Sequence, residues 1–128
     1  MEQKNDFIER EIQKITLFIR SLISKIVKGV DLNTSIQTLD KELKGKLDFG
    51  FFEILGLNEE VLKKKINGVD ILILEELLNL FYEIDKKELE ISEINNLSRV
   101  CIILIDEIEN KSRVFSFERQ DIKNYFKS

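Results

Sequence analysis

Carboxylates are the side chains with the most potential for chemistry in this sequence of 128 residues. The chain holds 24 Asp and Glu residues, no His, and a single cysteine, Cys101. A di-metal carboxylate site in a helical bundle requires Glu-x-x-His motifs, and His is also the commonest general base, so both kinds of site lack their usual residue. We expect Cys101 to be a buried core thiol, because free cysteine packs as a small hydrophobe. The sequence therefore predicts no catalytic residue, no metal ligand and no cofactor.

One stretch of the chain matches part of an enzyme motif. The apolar run 100–105, followed by Asp106 and Glu107, looks like the Walker B strand of AAA-type ATPases, where the Asp holds Mg²⁺ through water and the Glu orients the attacking water. That chemistry also needs a glycine-rich phosphate loop ending in Lys-Ser or Lys-Thr, and the sequence contains none. The flanks of the run continue at helical period, so we interpret it as part of a helix and the protein as not an enzyme.

The first thirty residues carry the clearest structural pattern. Six apolar residues follow the 4-3-4-3-4 spacing that lines one face of a helix: Ile8, Ile12, Ile15, Ile19, Leu22 and Ile26. The pattern predicts a helix over 6–28 that Asn5 caps and Gly29 ends. Because further apolar residues lie beside this stripe or opposite it, we expect the helix to be central or at an interface. The residues of the candidate interface are Leu17, Phe18, Leu22 and Ile23.

Capping residues and apolar spacing predict shorter helices in the rest of the chain. Gly45 and Gly50 are expected to break up the segment that follows the turn at 31–34. Ser116 is expected to cap the last helix, with Phe117, Ile122, Tyr125 and Phe126 pointing inward. The other predicted elements are a helical turn within 47–57, a helix over 59–66 capped by Asn58, one over 71–86 capped by Asp70, and one over 92–110 capped by Ser92.

These elements predict a single all-α domain over residues 1–128. The chain length suits one domain, and no Pro-, Gly- or Ser-rich linker divides the sequence. The expected architecture is a helical bundle or a short tetratricopeptide-like array of about five to seven helices.

Two parts of the sequence resemble a family of small uncharacterised bacterial proteins. The segment Asp6 to Ile12, which reads Asp-Phe-Ile-Glu-Arg-Glu-Ile, is similar to the start of their Ile/Leu-rich first helix. The predicted helices 71–86 and 92–110, with the last helix after them, are similar to the tetratricopeptide-like helices at the end of those proteins. The resemblance implies an all-helical fold, and it implies no site residue because the family has no assigned chemistry.

The distribution of charge bears on the kind of partner. The net charge of −4 and the pI of about 5.0 argue against a nucleic-acid binder, which needs a surplus of Lys and Arg. Residues 1–68 hold 12 basic and 11 acidic residues, whereas residues 69–128 hold 8 basic and 13 acidic residues. The acidic window 70–109 is either a solvated face of two long helices or a docking surface for a basic partner.

We expect a cytoplasmic protein without a transmembrane segment. Acidic residues occupy the positions where a signal peptide would be basic, and no apolar run approaches the roughly 18 residues that span a bilayer. Contact of the first helix with a membrane surface is a less favoured alternative. Its polar side is thin and carries Glu11 and Gln13, although Arg20, Lys25 and Lys28 flank its apolar residues.

The apolar excess of the first helix favours a non-enzymatic protein that acts through protein–protein contact or self-association, for example as a homodimer. The alternative is a helical protein that binds a small molecule, or a minor enzyme. Its basis is an aromatic cluster that could line a cavity: Phe49, Phe51, Phe52, Phe81 and Tyr82.

Overall fold

Seven α-helices and one short 3₁₀ turn form the described part of the chain, and no strand occurs there. The computed structural model describes residues 2–29, 31–90 and 92–127. The predicted all-α class is confirmed. The helices are α1 (Glu2–Lys28), α2 (Leu32–Leu47), α3 (Phe51–Leu55), α4 (Glu59–Asn67), α5 (Ile71–Lys86), α6 (Leu97–Lys111) and α7 (Phe117–Lys127), with the 3₁₀ turn at Ser92–Asn96.

Helices α1 and α5 run parallel and side by side. Arg20 Nε donates to Glu76 Oε1 at 3.1 Å. Further along both helices, Lys87 Nζ donates to the Val27 carbonyl oxygen at 3.2 Å. Helices α2 to α4 therefore form a long crossover that allows α5 to start again alongside α1 in the same direction.

Helix α7 also runs parallel to α5. Arg119 Nη1 donates to Glu75 Oε1 at 3.0 Å near the start of α5, and Tyr125 Oη donates to Asp85 Oδ2 at 2.7 Å near its end. These contacts fix α7 along most of the length of α5.

Helix α6 runs antiparallel to both α5 and α7. Its last residue, Lys111, donates from Nζ to the Asn67 carbonyl oxygen at 2.6 Å, just before α5 begins. Lys123 of α7 reaches back to Glu109 of α6 at 3.0 Å across the turn between the two helices. Helix α5 therefore contacts both α1 and α6, and α7 is held against α5 and α6.

The hydrophobic core surrounds α5, which packs against α1 on one side and α6 on another, and it continues into α2, α3 and α4. Apolar residues at helical spacing along α5 and α6 are buried, and Cys101 of α6 is fully buried, as expected. Burial raises the pKa of the Cys101 thiol well above its usual value, because the thiolate would be poorly solvated there. Fully burying one Leu, Ile or Phe side chain contributes about 1.5–3 kcal/mol, so these rows are a large part of the driving force for folding.

The predicted caps and ends agree with the structure at several helices. Asn58, Asp70 and Ser116 each accept a hydrogen bond from a backbone N–H in the first turn of the following helix, at 2.9, 2.9 and 3.1 Å. Gly29 follows α1 with a φ of 73°, the left-handed conformation that favours glycine at this position.

Three predicted helix boundaries are wrong. Helix α1 begins at Glu2, so Asn5 lies within it. Gly45 lies inside α2, since one glycine in a helix costs only about 1 kcal/mol, and three buried residues hold the helix against the core. Ser92 begins the 3₁₀ turn, and α6 starts five residues later at Leu97.

Phe117 is predicted to point inward, and this is also wrong. Its side chain is 78% exposed. It is the first residue of α7, and the helix packs through Ile122, one and a half turns later. The ring of Phe117 instead contacts Phe115 edge to face, with 4.9 Å between the ring centroids.

Candidate functional site: a groove between three parallel helices

A groove of about 450 Å³ opens between α1, α5 and α7 and is called the α1–α5–α7 groove below. Helix α5 contributes its middle, and α1 and α7 contribute its two sides. Its apolar residues are Ile23, Tyr82 and Ile122. Its charged residues are Arg20, Glu76, Glu83, Glu118 and Asp121. Such a surface offers an apolar centre with charges around it, which is a common form of binding site for another molecule.

The sequence of α5 explains why this surface stays open. Leu72, Glu76, Asn79 and Glu83 follow each other at 4-3-4 spacing, so they share one face of the helix. The core rows of α5 occupy the other faces. A face that combines two carboxylates and an amide is not buried in the core, so the neighbouring helices flank it without covering it.

Two ion pairs shape the charge of the α5 face. Arg20 reaches across from α1 to Glu76, whose side chain is only 15% exposed. Glu83 pairs with Lys86 at 2.9 Å, and this hydrogen bond raises the pKa of the Lys86 ammonium. The Lys86 Nζ atom also lies 4.4 Å from the centroid of the Tyr82 ring. The carboxylates of α5 are thus partly compensated by cations at the edge of the groove.

The α7 side of the groove differs, because its carboxylates are not compensated. Glu118 and Asp121 are exposed, and neither forms an ion pair with any cation in the described part of the chain. Glu118 lies in the first turn of α7, where its negative charge interacts favourably with the helix dipole. Asp121 lies beyond that turn. The groove therefore has an excess of negative charge on one side.

Helix α7 is held in place at both ends, so this side of the groove is well positioned. Arg119 Nη2 donates to the Val114 carbonyl oxygen at 2.8 Å, in addition to its bond with Glu75. At the other end the Tyr125 ring packs edge to face on Tyr82, with 5.0 Å between the centroids. Partial burial and the hydrogen bond to Asp85 raise the pKa of Tyr125 to about 12.

The predicted interface residues separate into three groups. Leu17 is 61% exposed and lies three residues before Arg20, at one end of the groove. Ile23 lines the groove. Phe18 is half-buried and faces α2, where Lys46 Nζ lies 5.3 Å from its ring centroid.

The prediction that Leu22 belongs to an interface is wrong. It is 2% exposed and belongs to the core, so it is not available to a partner. The stripe position of Leu22 already indicated burial. The sequence does not identify the groove residues of α5 and α7, because their proximity depends on how α7 packs.

The aromatic cluster does not line a cavity as a unit. Phe49, Phe51 and Phe81 are at most 1% exposed and fill the core, and Phe51 contacts Phe81 with 5.3 Å between the centroids. Phe52 packs against this core, and of the five aromatic residues Tyr82 lines the groove. The aromatic cluster therefore offers little support for the small-molecule alternative, because most of its rings are used for packing.

A second cleft of about 650 Å³ lies beneath the N-terminal part of α1. Ile8, Ile12 and Ile73 contribute apolar surface, and Lys44 and Asp70 are among its charged residues. Both signs of charge are present, and Asp70 is already engaged as the cap of α5. This cleft gives less indication than the groove of the chemistry of an occupant.

The segment that looks like a Walker B strand forms part of α6. Asp106 is exposed, and Glu107 pairs with Lys111 at 3.5 Å on the same helix. Within residues 2–29, 31–90 and 92–127, no three His, Cys, Asp or Glu side chains are grouped so that they could hold a metal ion. No helix in the same ranges is long and apolar enough to cross a membrane.

Comparison with known proteins adds no relative. The chain matches no protein-family model, and no significant match appears among curated proteins or solved structures. The resemblance to small bacterial helical proteins stays a prediction. The chemistry of the α1–α5–α7 groove is therefore the basis on which a function has to be inferred.

Proposed function

We propose that this chain is a non-enzymatic helical protein that acts through protein–protein contact, and that the α1–α5–α7 groove is its contact surface. The observation that carries the proposal is an open surface with an apolar centre between α1 and α5, which pack closely, and α7, which side-chain hydrogen bonds hold against α5. Cytoplasmic location and a tetratricopeptide-like character remain predictions.

Exposed apolar residues at one end of the groove support the proposal. Leu17 and Leu72 are 61% and 56% exposed. They precede Arg20 and Glu76 by three and four residues, so each lies about one turn before a member of the same ion pair. A partner that covers these two large apolar side chains gains stability, because their burial removes apolar area from water.

Site-specific photocrosslinking tests this function in cells that naturally contain the protein. A photoreactive phenylalanine analogue replaces Leu17, whose exposed position leaves the core intact. The same analogue at Thr38, an exposed residue of α2, is the matched control. We expect a discrete protein adduct from position 17 and none from position 38.

A second substitution ties the adduct to the groove. Asn79→Trp places a large ring in the middle of the groove, whereas Asn79→Ala leaves it open. We expect the Trp variant to lose the adduct and the Ala variant to retain it, with both variants folded by circular dichroism. An adduct that is absent at position 17, or that is insensitive to Asn79→Trp, would contradict the proposed surface.

The mass of the adduct separates the two forms of contact. An adduct of twice the chain mass indicates self-association, and sedimentation velocity of the purified protein would then show a dimer that Asn79→Trp dissociates. Any other protein mass indicates a different partner.

A further inference from the structure

The charge of the groove indicates the chemistry of its partner. Four carboxylates and one guanidinium line the groove. Arg20 is neutralised by Glu76, and Glu83 is compensated by Lys86. Glu118 and Asp121 remain, exposed and without a cationic partner among the described residues. A partner with cationic side chains along one edge would pair with this side of the groove, whereas nucleic acid and anionic membranes would be repelled.

The apolar centre indicates that the partner is not simply a cationic loop. Ile23 and Tyr82 are half-buried, and the side chain of Ile122 is 4% exposed at the bottom. Leu17 and Leu72 extend this apolar surface towards the start of α5. A partner needs apolar side chains on one face and cations beside them, which is the pattern of a basic amphipathic helix.

The length of the groove limits the length of such a helix. Its α5 face runs from Leu72 to Glu83, twelve residues whose eleven steps span about 17 Å at 1.5 Å per step. A helix of about three turns covers this distance, with apolar anchors at positions i, i+4 and i+7.

A second copy of this chain is a poor source of that helix. Two of its helices are rich in lysine: α2, whose apolar residues Ile36, Leu39 and Leu43 are buried, and α4, in which Lys63 and Lys64 pair with Glu59 and Glu60. The apolar face of α4 is already used, because Leu62 and Ile66 are both fully buried. Helix α4 therefore cannot offer an apolar face to the groove without leaving its own core.

We propose that the α1–α5–α7 groove binds a basic amphipathic helix of about three turns from another protein, an inference that rests on the protein–protein function proposed above. The apolar face of the helix covers Ile23, Tyr82 and Leu72, and its Lys or Arg residues pair with Glu118 and Asp121. The acidic half of the chain thus acts as a docking surface.

Two matched synthetic peptides test the inference by fluorescence anisotropy. One is a three-turn helical peptide with Leu at i, i+4 and i+7 and Lys at the flanking positions, and the other carries Glu in place of every Lys. We expect the basic peptide to bind at least about tenfold more tightly than the acidic one, and we expect its binding to weaken as the salt concentration is raised. Equal binding of the two peptides would overturn the inference.

Charge reversal then places the peptide in the groove. We expect Glu118→Lys combined with Asp121→Lys to lower the affinity for the basic peptide by about tenfold or more. Glu9→Lys combined with Glu42→Lys makes the same change in net charge at exposed positions outside the groove and should leave binding within about twofold. Equal losses in the two double variants would show a general charge effect and contradict the site.

A single substitution and the crosslinking result complete the test. Glu118 lies in the first turn of α7, so Asp121→Lys alone is included as a variant that does not oppose the helix dipole. This variant should lose part of the affinity for the basic peptide and keep the circular dichroism spectrum of the wild type.

The peptide and crosslinking results together separate the two proposals. If the basic peptide does not bind while the Leu17 adduct still depends on an open groove, the occupant is not a basic helix and the contact function stands. Loss of both results contradicts both proposals.

Discussion

The two halves of α1 carry the same apolar spacing but differ in how far they are covered. In residues 15–28, Ile19, Leu22 and Ile26 are at most 2% exposed. In residues 2–14, Ile8 of the same stripe is 48% exposed, and its neighbour Phe7 is 58% exposed. The periodicity thus identifies which face of a helix is apolar, but the length of the neighbouring helices determines how much of that face is buried.

The lengths of α1 and α5 explain the difference. Helix α1 has 27 residues and α5 has 16, so their lengths are about 40 Å and 24 Å. Because Arg20 lies beside Glu76, only five residues into α5, the first half of α1 extends past the start of its neighbour. The end of the molecule where α5 begins also holds the exposed residues Val114 and Phe115. Exposed apolar surface is therefore concentrated at that end.

Hydrogen exchange should show the largest difference between the two halves. The amides of residues 15–28 lie over buried side chains and should exchange only when the protein unfolds globally, at a cost of about 5–15 kcal/mol. Those of residues 6–12 should exchange at least about a thousandfold faster by local opening, since few packed side chains hold that segment. Mass spectrometry of peptides from each half measures this ratio. Equal protection would mean that the first half is covered in solution.

Truncation of one stripe residue in each half gives the next largest contrast. Leu22→Ala should lower the free energy of unfolding by about 2–5 kcal/mol, because it leaves a cavity in the core. Ile8→Ala should change it by less than about 1 kcal/mol, because that side chain is half exposed already. Urea denaturation measures both. If Ile8→Ala lowered the free energy of unfolding as much as Leu22→Ala, the two halves of α1 would be equally buried in solution.

How much the sequence predicts depends on whether a feature is local. The sequence predicts Asn58 and Asp70 as caps because a cap acts within one turn of its own helix. It predicts a buried Cys101 because free cysteine packs as a small hydrophobe wherever it occurs. The prediction for Phe117 is wrong because the packing direction of α7 depends on the contact of Arg119 with Glu75, which is distant in sequence. The sequence does not reveal the groove for the same reason, since its three sides come from helices at least 30 residues apart in sequence.

Gly45→Ala on α2 tests how closely the first half of α1 is covered, with a smaller expected effect on the free energy of unfolding. Gly45 lies inside α2 and borders the cleft beneath the first half of α1, and a Cβ atom there would have no neighbouring atom within 4 Å. Ala should stabilise the protein by about 0.5–1 kcal/mol, because it favours the helix. Gly50→Ala is the contrasting control, since its Cβ would lie 2.7 Å from Asp40 Oδ1, which accepts the Phe52 N–H. Destabilisation by Gly45→Ala would indicate that α1 closes onto α2 in solution.

Titration of Tyr125 tests the end of the molecule at which α5 ends, where this side chain holds α7 against α5. In a Tyr82→Phe background Tyr125 is the remaining tyrosine, so the absorbance of its phenolate can be followed directly. Its ionisation should have a midpoint at a pKa of about 12, and Asp85→Asn should lower that midpoint by removing the carboxylate that accepts the Tyr125 hydroxyl.

The sign of the accompanying stability change follows from linkage. The pKa of Tyr125 is raised from 10.0 to about 12 in the folded protein, so the folded state holds this proton more tightly than the unfolded chain. The resulting stability is fully present below pH 10 and is lost as the pH rises towards 12. A midpoint near the ordinary value in the folded protein would show that α7 is not fixed to α5 at this end. The groove would then lose the rigid side on which Glu118 and Asp121 are held, and the two ends of the molecule would be equally open.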